Sequence, residues 1–137
     1  MLRRIFFIAI IALIYSCKSD SVYLPDIAVD EYVYINNPSN IKLQSPGGWA
    51  YHKGGIKGLI IYRTSSEKFK AYDRACPHIS PNTCSILNVE DDIIAKCECD
   101  EKTFLLVTGE PIDGASHGLK EYRAYYDPSN ETVHIVN

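Results

Sequence analysis

The chain has 137 residues, 14 basic and 17 acidic side chains and a formal net charge of −3, with 46% hydrophobic and 11% aromatic residues. An acidic balance argues against nucleic acid as a partner, and this length holds one domain with one modest core, not two. The five cysteines are the compositional feature that bears on chemistry.

The first residues bear on where the protein works. Met1-Leu2-Arg3-Arg4 places two positive charges ahead of an unbroken apolar run from Ile5 to Tyr15. This is the layout of a secretory signal, and the run is too short to span a bilayer. Ile14-Tyr15-Ser16-Cys17 then resembles a lipobox, the motif at which bacteria attach lipid to the cysteine and cut before it. A plain signal peptide or an uncleaved anchor is the alternative. The polar Lys18-Ser19-Asp20 favours lipidation of Cys17, and several acyl chains on one residue make anchoring stable. The expected organisation is a signal peptide over 1–16, a lipidated Cys17 with a tether over 17–25, and one domain over 26–137. The location that follows is the bacterial cell envelope, on the exported side of the membrane to which Cys17 is anchored. Removing residues 1–16 takes away Arg3 and Arg4 and no acidic residue, so the mature chain is more acidic still.

From about Pro25 onward the apolar spacing is mostly two, as in Tyr32-Tyr34, the run Leu59-Ile60-Ile61-Tyr62 and Phe69-Ala71, with β-branched and aromatic residues dominant. These segments are expected as strands. Turn signals separate them at Asn36-Asn37-Pro38, Pro46-Gly47-Gly48, Gly54-Gly55, Ser65-Ser66, Asp91-Asp92 and Asp127-Pro128-Ser129-Asn130. The last predicts a hairpin between 122–126 and 132–136. No long segment has period 3.6, so an all-β antiparallel sandwich or barrel is expected.

The chemistry concentrates between Cys76-Pro77-His78 and Cys97-Glu98-Cys99-Asp100. This Cys-x-His and Cys-x-Cys arrangement resembles the two metal-binding loops of the Rieske iron-sulfur family, in which each loop gives one cysteine and one histidine to a [2Fe–2S] cluster. The resemblance continues through Ala71-Tyr72-Asp73-Arg74-Ala75 before the first loop and Phe104 after the second. Thr108-Gly109-Glu110-Pro111, Gly114-Ala115 and Leu119-Lys120-Glu121-Tyr122 extend it. It implies a Rieske-like antiparallel β sandwich with a small cluster-binding subdomain made by two loops. Carried over residue by residue, it implies Cys76 and Cys97 on one iron, His78 on the other, and a disulfide between Cys84 and Cys99.

The sequence departs from the family where its second histidine stands, because that position holds Asp100. Glu101 and Lys102 replace the glycine and serine that commonly follow, and Gly114-Ala115-Ser116 lacks the usual proline. A carboxylate as fourth ligand adds negative charge and lowers the cluster's potential. His117 is a further candidate nitrogen, although a loop histidine is more often solvated.

The resemblance implies a one-electron carrier or the redox module of a larger oxidoreductase complex, working with a redox protein partner, more than a stand-alone enzyme. Two other readings of the same residues stay open. Four cysteines in a small exported domain form two disulfides more often than they bind metal, which would leave a metal-free scaffold acting as a binding or structural module. Zinc is the third, with Cys76, His78, Cys97 and Asp100 or Cys99 as tetrahedral ligands. Elsewhere, Lys53-Gly54-Gly55-Ile56-Lys57-Gly58 lacks Walker spacing and is expected to be a glycine-rich turn rather than a phosphate cradle. His52 has no neighbouring ligands, and His134 is expected to face solvent.

Overall fold

The computed structural model describes residues 24–137, so the expected signal peptide, Cys17 and most of the tether lie outside the described residues. Among the described residues there are nine strands: β1 (Asp30–Tyr34), β2 (Trp49–His52), β3 (Leu59–Arg63), β4 (Phe69–Asp73), β5 (Leu87–Glu90), β6 (Ile94–Cys97), β7 (Thr103–Leu105), β8 (Glu121–Asp127) and β9 (Thr132–Val136). Six of them make one sheet in the order β1-β9-β8-β4-β3-β2, and β5-β6-β7 make a second, smaller sheet. All pairings are antiparallel. The fold is therefore all-β with a small subdomain, as the sequence pattern and the resemblance implied.

The apolar run of β3 follows from its place between two cores, where the length alone led to the expectation of one. Leu59 and Ile61 face one cluster, together with Val33, Leu43, Ala71, Tyr122, Val133 and Ile135. Ile60 and Tyr62, on the other face, join Tyr72, Leu87, Phe104, Leu106 and the two cysteines Cys76 and Cys97. Side chains alternate across a strand, so a strand covered on both faces carries apolar residues at every position. β4 is divided the same way, with Ala71 on one side and Tyr72 on the other. The second core is what seats the small sheet on the large one.

Polar contacts at the sheet edge fix that seat. Trp49 Nε1 and Lys42 Nζ both donate to Asp92 Oδ1, at 2.7 and 2.8 Å, and the Val89 N–H donates to the Tyr51 hydroxyl at 2.8 Å. Asp92 belongs to the Asp91-Asp92 turn between β5 and β6, where both residues have positive φ. Aspartate tolerates that conformation better than most residues, and paired positive φ values suit a tight hairpin.

The expected hairpin over 122–126 and 132–136 is β8 and β9, paired from Arg123↔Val136 to Asp127↔Thr132. One segment differs from expectation. Asn36-Asn37-Pro38 leads into a 3-10 helix over Pro38–Gln44 rather than a simple turn. The Asn37 side chain accepts from the Ser39 N–H and proline occupies the first turn, which together start a helix on a segment with no helical periodicity.

Candidate metal and disulfide centre

The site begins where β4 leaves the large sheet. Asp73 ends β4, and its buried carboxylate accepts from the N–H groups of Ile56, Lys57 and Ala75 and from the Tyr122 hydroxyl. The Ala75 N–H bond turns the chain into the first loop, and the Cys76 N–H then bonds the Ser85 carbonyl at the loop's far side. The amides of the glycine-rich turn are thus taken by the protein's own carboxylate. Gly55, at φ +63°, permits this approach: a Cβ there would lie 2.4 Å from Asp73 Oδ2. Sequence reading marked Asp73 only as part of the strand before Cys76, and missed that the glycine-rich turn and this aspartate are partners. Its one signal was a lone acidic residue closing an apolar strand.

The second loop starts at Cys97, the last residue of β6, and closes by the Cys97 N–H to Lys102 carbonyl and Glu101 N–H to Cys97 carbonyl bonds. Glu101 sits at φ +62°, a conformation that costs most side chains energy and is tolerated in a tight return.

These loops bring Cys76, His78, Cys84, Cys97, Cys99 and Asp100 to one end of the small sheet. Cys76 and Cys97 form a disulfide, with Cα atoms 5.7 Å apart, and both are fully buried in the second core. Cys84 and Cys99 form the other, with Cα atoms 4.9 Å apart. Cys84 is exposed, and Asn82 Oδ1 lies 3.2 Å from its sulfur and 3.5 Å from that of Cys99.

His78 lies over Phe104, their ring centroids 5.7 Å apart. Its Nε2 is 2.7 Å from Asp100 Oδ2. Burial works to raise the Asp100 carboxyl, but the hydrogen bonds from His78 and from the Lys102 N–H outweigh it, leaving the group below the ordinary carboxylate range. An ionised carboxylate only accepts, so Nε2 carries the proton and donates. The other ring nitrogen, Nδ1, is buried and has no hydrogen-bond partner among the described residues. Donor atoms of His78, Cys97 and Asp100 lie within 4.8 Å of one another.

This donor set suits an iron-sulfur centre in part. Cys76 and Cys97 offer two thiolates to one iron after reduction, and the unpartnered Nδ1 of His78 suits a second. Asp100 brings an oxygen where the family has a nitrogen, and that oxygen is engaged by Nε2. Cys84 and Cys99, joined to each other, stand outside the group.

The remaining candidates do not converge here. His117 Nδ1 pairs with the neighbouring Ser116 hydroxyl on the exposed loop. His52 Nε2 lies 3.2 Å from Glu31, and His134 Nε2 lies 2.7 Å from Asp30 while its ring stacks on Tyr32.

No protein-family model and no curated protein matches the sequence. Among solved structures, a chain of the complex of reduced oxygenase and oxidized ferredoxin in carbazole 1,9a-dioxygenase matches with a TM-score of 0.51 and 18% identity. That match covers 82% of this chain and 94% of the other. The ferredoxin of carbazole 1,9a-dioxygenase from Nocardioides aromaticivorans IC177 matches with a TM-score of 0.49 and 13% identity, over 80% of this chain and 97% of that one. The E. coli protein NirD matches with a TM-score of 0.49 and 14% identity, over 81% and 98%. At these identities the likeness concerns the fold, and the fold is Rieske-like.

Proposed function

We propose that this protein is an envelope-anchored, Rieske-like redox module that passes single electrons to or from a protein partner. Its centre is formed by Cys76, His78, Cys97 and Asp100. The observation that carries this reading is the His78 imidazole: its Nδ1 is buried and has no hydrogen-bond partner among the described residues, and the side chain groups with Cys97 and Asp100, donor atoms within 4.8 Å of one another, on loops that a Rieske-like sheet presents. Leaving a buried polar atom unpaired costs on the order of 1 to 3 kcal/mol, a cost that a bound Lewis acid removes. In this reading residues 1–16 are cleaved, Cys17 carries the lipid, and the domain over 26–137 works on the exported side of the membrane.

A [2Fe–2S] cluster, when bound, supplies a one-electron couple whose potential depends on ligand charge and nearby hydrogen bonds. The chain's own residues do the rest. Cys76 and Cys97 give two thiolates, His78 gives Nδ1, and the Asp100 carboxylate adds negative charge that lowers the potential. Phe104 and the second core keep bulk water from the inner side. The Cys84–Cys99 disulfide ties the first loop to the second and keeps the donors in register.

A second reading rests on the Cys76–Cys97 disulfide, which occupies both thiolates. In that form the domain is a metal-free scaffold stapled twice, and acts as a binding or structural module. An iron, sulfide and zinc assay with a visible spectrum, on protein made with iron-sulfur assembly available, separates the two. About two irons and two sulfides per chain, with a coloured protein, supports the redox module. A colourless protein without metal, whose four domain cysteines are all blocked to thiol reagents, refutes it in favour of the scaffold.

A further inference from the structure

The outer face of the large sheet is covered over only part of its width. Side chains alternate along a strand, so the registers linking β3, β4, β8, β9 and β1 fix which residues share that face. At β3 and β4 it carries Ile60 and Tyr72, which join the second core beneath the small sheet. Across β8, β9 and β1 the same face carries two rows, Tyr125, His134 and Tyr32, then Asp127, Thr132 and Tyr34. The alternate residues, Val33, Tyr122, Val133 and Ile135, fill the first core on the opposite face. Tyr32, Tyr34 and Tyr125 are each about half exposed, and the six residues of the two rows line an open groove of about 400 Å³.

The charge in this groove has one sign. Its lining includes a carboxylate and neither lysine nor arginine. Asp127 Oδ1 accepts from the hydroxyl and the N–H of Ser129, at 2.6 and 2.9 Å. These bonds hold the carboxyl below the ordinary carboxylate range, so it is ionised at neutral pH. Asp127 forms no ion pair among the described residues. His134 stacks on Tyr32 with ring centroids 4.2 Å apart, and any charge on it is answered by Asp30, 2.7 Å from Nε2. In the next row along the strands, Arg123 is turned to the Asn137 carbonyl, to which it donates at 2.7 Å.

We infer that this groove is a binding site for a small organic cation of the methylated-ammonium class, held by the tyrosine rings and by Asp127. The negative face of an aromatic ring attracts a cation, and quaternary ammonium groups are ligands that proteins recognise in this way. A primary ammonium is compact and strongly hydrated, and an open groove with one carboxylate does not replace the water it would lose. A methylated ammonium spreads its charge over an apolar surface, which fits rings lying beside a single carboxylate. The groove contains none of the cysteine-loop residues and needs neither a metal nor reduced thiols, so it is independent of the redox reading.

Three probes that share a hydroxyethyl group separate charge from shape. Choline carries trimethylammonium; its uncharged carbon isostere carries a tert-butyl group of the same shape; ethanolamine carries a primary ammonium. Each is titrated at constant ionic strength into the full-length, oxidised protein in a non-ionic, sugar-based detergent, and the amide NMR shifts of residues 32, 34, 125, 127, 132 and 134 are followed. Choline is expected to shift these signals saturably, with the isostere and ethanolamine each about 10-fold weaker, the scale of a cation–π contact reinforced by a carboxylate. Asp127→Asn, whose amide oxygen still accepts from Ser129, should weaken choline binding several-fold. Tyr125→Phe keeps the ring and should keep the affinity, whereas Tyr125→Leu should lose it with the melting temperature unchanged. Equal midpoints for choline and its isostere overturn the inference by showing a merely apolar groove. Equal midpoints for choline and ethanolamine overturn the methylated-ammonium assignment, and no choline-dependent shift at these residues overturns the site itself.

Discussion

The Tyr122 hydroxyl donates a 2.9 Å hydrogen bond to Asp73 Oδ2, joining β8 to the last residue of β4 where the first cysteine loop begins. The same carboxylate accepts from three backbone N–H groups, those of Ile56, Lys57 and Ala75, and Asp73 is fully buried. A buried charge satisfied by four donors is costly to remove, because each donor is then left unpaired in the interior. Asp73→Ala is expected to lower stability by about 3 kcal/mol or more, and Tyr122→Phe by about 1.5 kcal/mol, the loss of one hydrogen bond to a charged acceptor. Urea denaturation of the oxidised protein measures both. Equal effects, or a larger one for Tyr122→Phe, would show that Asp73 is not the hub of this network.

The same pairing predicts an alkaline limit on stability. Burial, then the nearby Asp73 carboxylate, pushes the Tyr122 hydroxyl well above the ordinary tyrosine range. Burial first, with Glu121 and Glu110 adding to it, does the same for Tyr72, whose hydroxyl donates to the Leu106 carbonyl at 3.0 Å. Both groups are neutral in the fold at pH values where an unfolded tyrosine ionises. Their contribution is therefore complete below the unfolded value of about 10 and is lost as the pH rises above it. Spectrophotometric titration at 295 nm should show two tyrosines that ionise only as the protein unfolds. A single smooth transition for all the tyrosines would contradict this.

What the sequence made legible follows the range of each interaction. Strands with period-two spacing and the 122–126/132–136 hairpin are local patterns, and the structure has them as expected. β3 was readable too, because a strand between two cores is apolar throughout. The 3-10 helix over Pro38–Gln44 was hidden, since it depends on the Asn37 cap and Pro38 and not on periodicity. The grouping of Cys76, His78, Cys97 and Asp100 came from resemblance. The orientation of the His78 ring did not, because it depends on which nitrogen Asp100 faces after both loops have closed. The partnership of Asp73 with the glycine-rich turn is invisible for the same reason: residues 55 and 73 meet only after β3 and β4 have paired.

The two disulfides should open in sequence. Thiol-disulfide exchange needs the attacking thiolate to reach a sulfur in line, so access sets the rate. Cys84 is exposed, whereas Cys76 and Cys97 are fully buried in the second core. Under native conditions a thiol reductant is expected to open Cys84–Cys99 first and Cys76–Cys97 only when the small sheet opens. Timed alkylation followed by peptide mass spectrometry gives the order directly, and simultaneous opening would show the second core to be looser than its burial implies. Cys84→Ser with Cys99→Ser should cost about 3 kcal/mol in stability, the chain-entropy value for a loop of this size. Less is expected if Cys76–Cys97, which spans an overlapping loop, already restrains the unfolded chain.

Gly55 supplies the sharpest check on the Asp73 cradle. It lies at φ +63°, so alanine there incurs a backbone penalty of about 1 kcal/mol whatever its surroundings. Its Cβ would also stand 2.4 Å from Asp73 Oδ2 and 3.1 Å from Leu59 Cδ2. The carboxylate would have to leave the Ile56 N–H, its closest partner at 2.6 Å. Gly55→Ala in the wild-type background should therefore cost clearly more than the backbone penalty alone. In an Asp73→Ala background the Oδ2 clash is gone, and the added cost of Gly55→Ala should fall towards about 1 kcal/mol, the backbone penalty by itself. That difference is a coupling energy between residues 55 and 73, read from a double-mutant cycle on denaturation midpoints. Strict additivity would mean that the glycine is needed for its φ alone and that the turn does not depend on the carboxylate it surrounds.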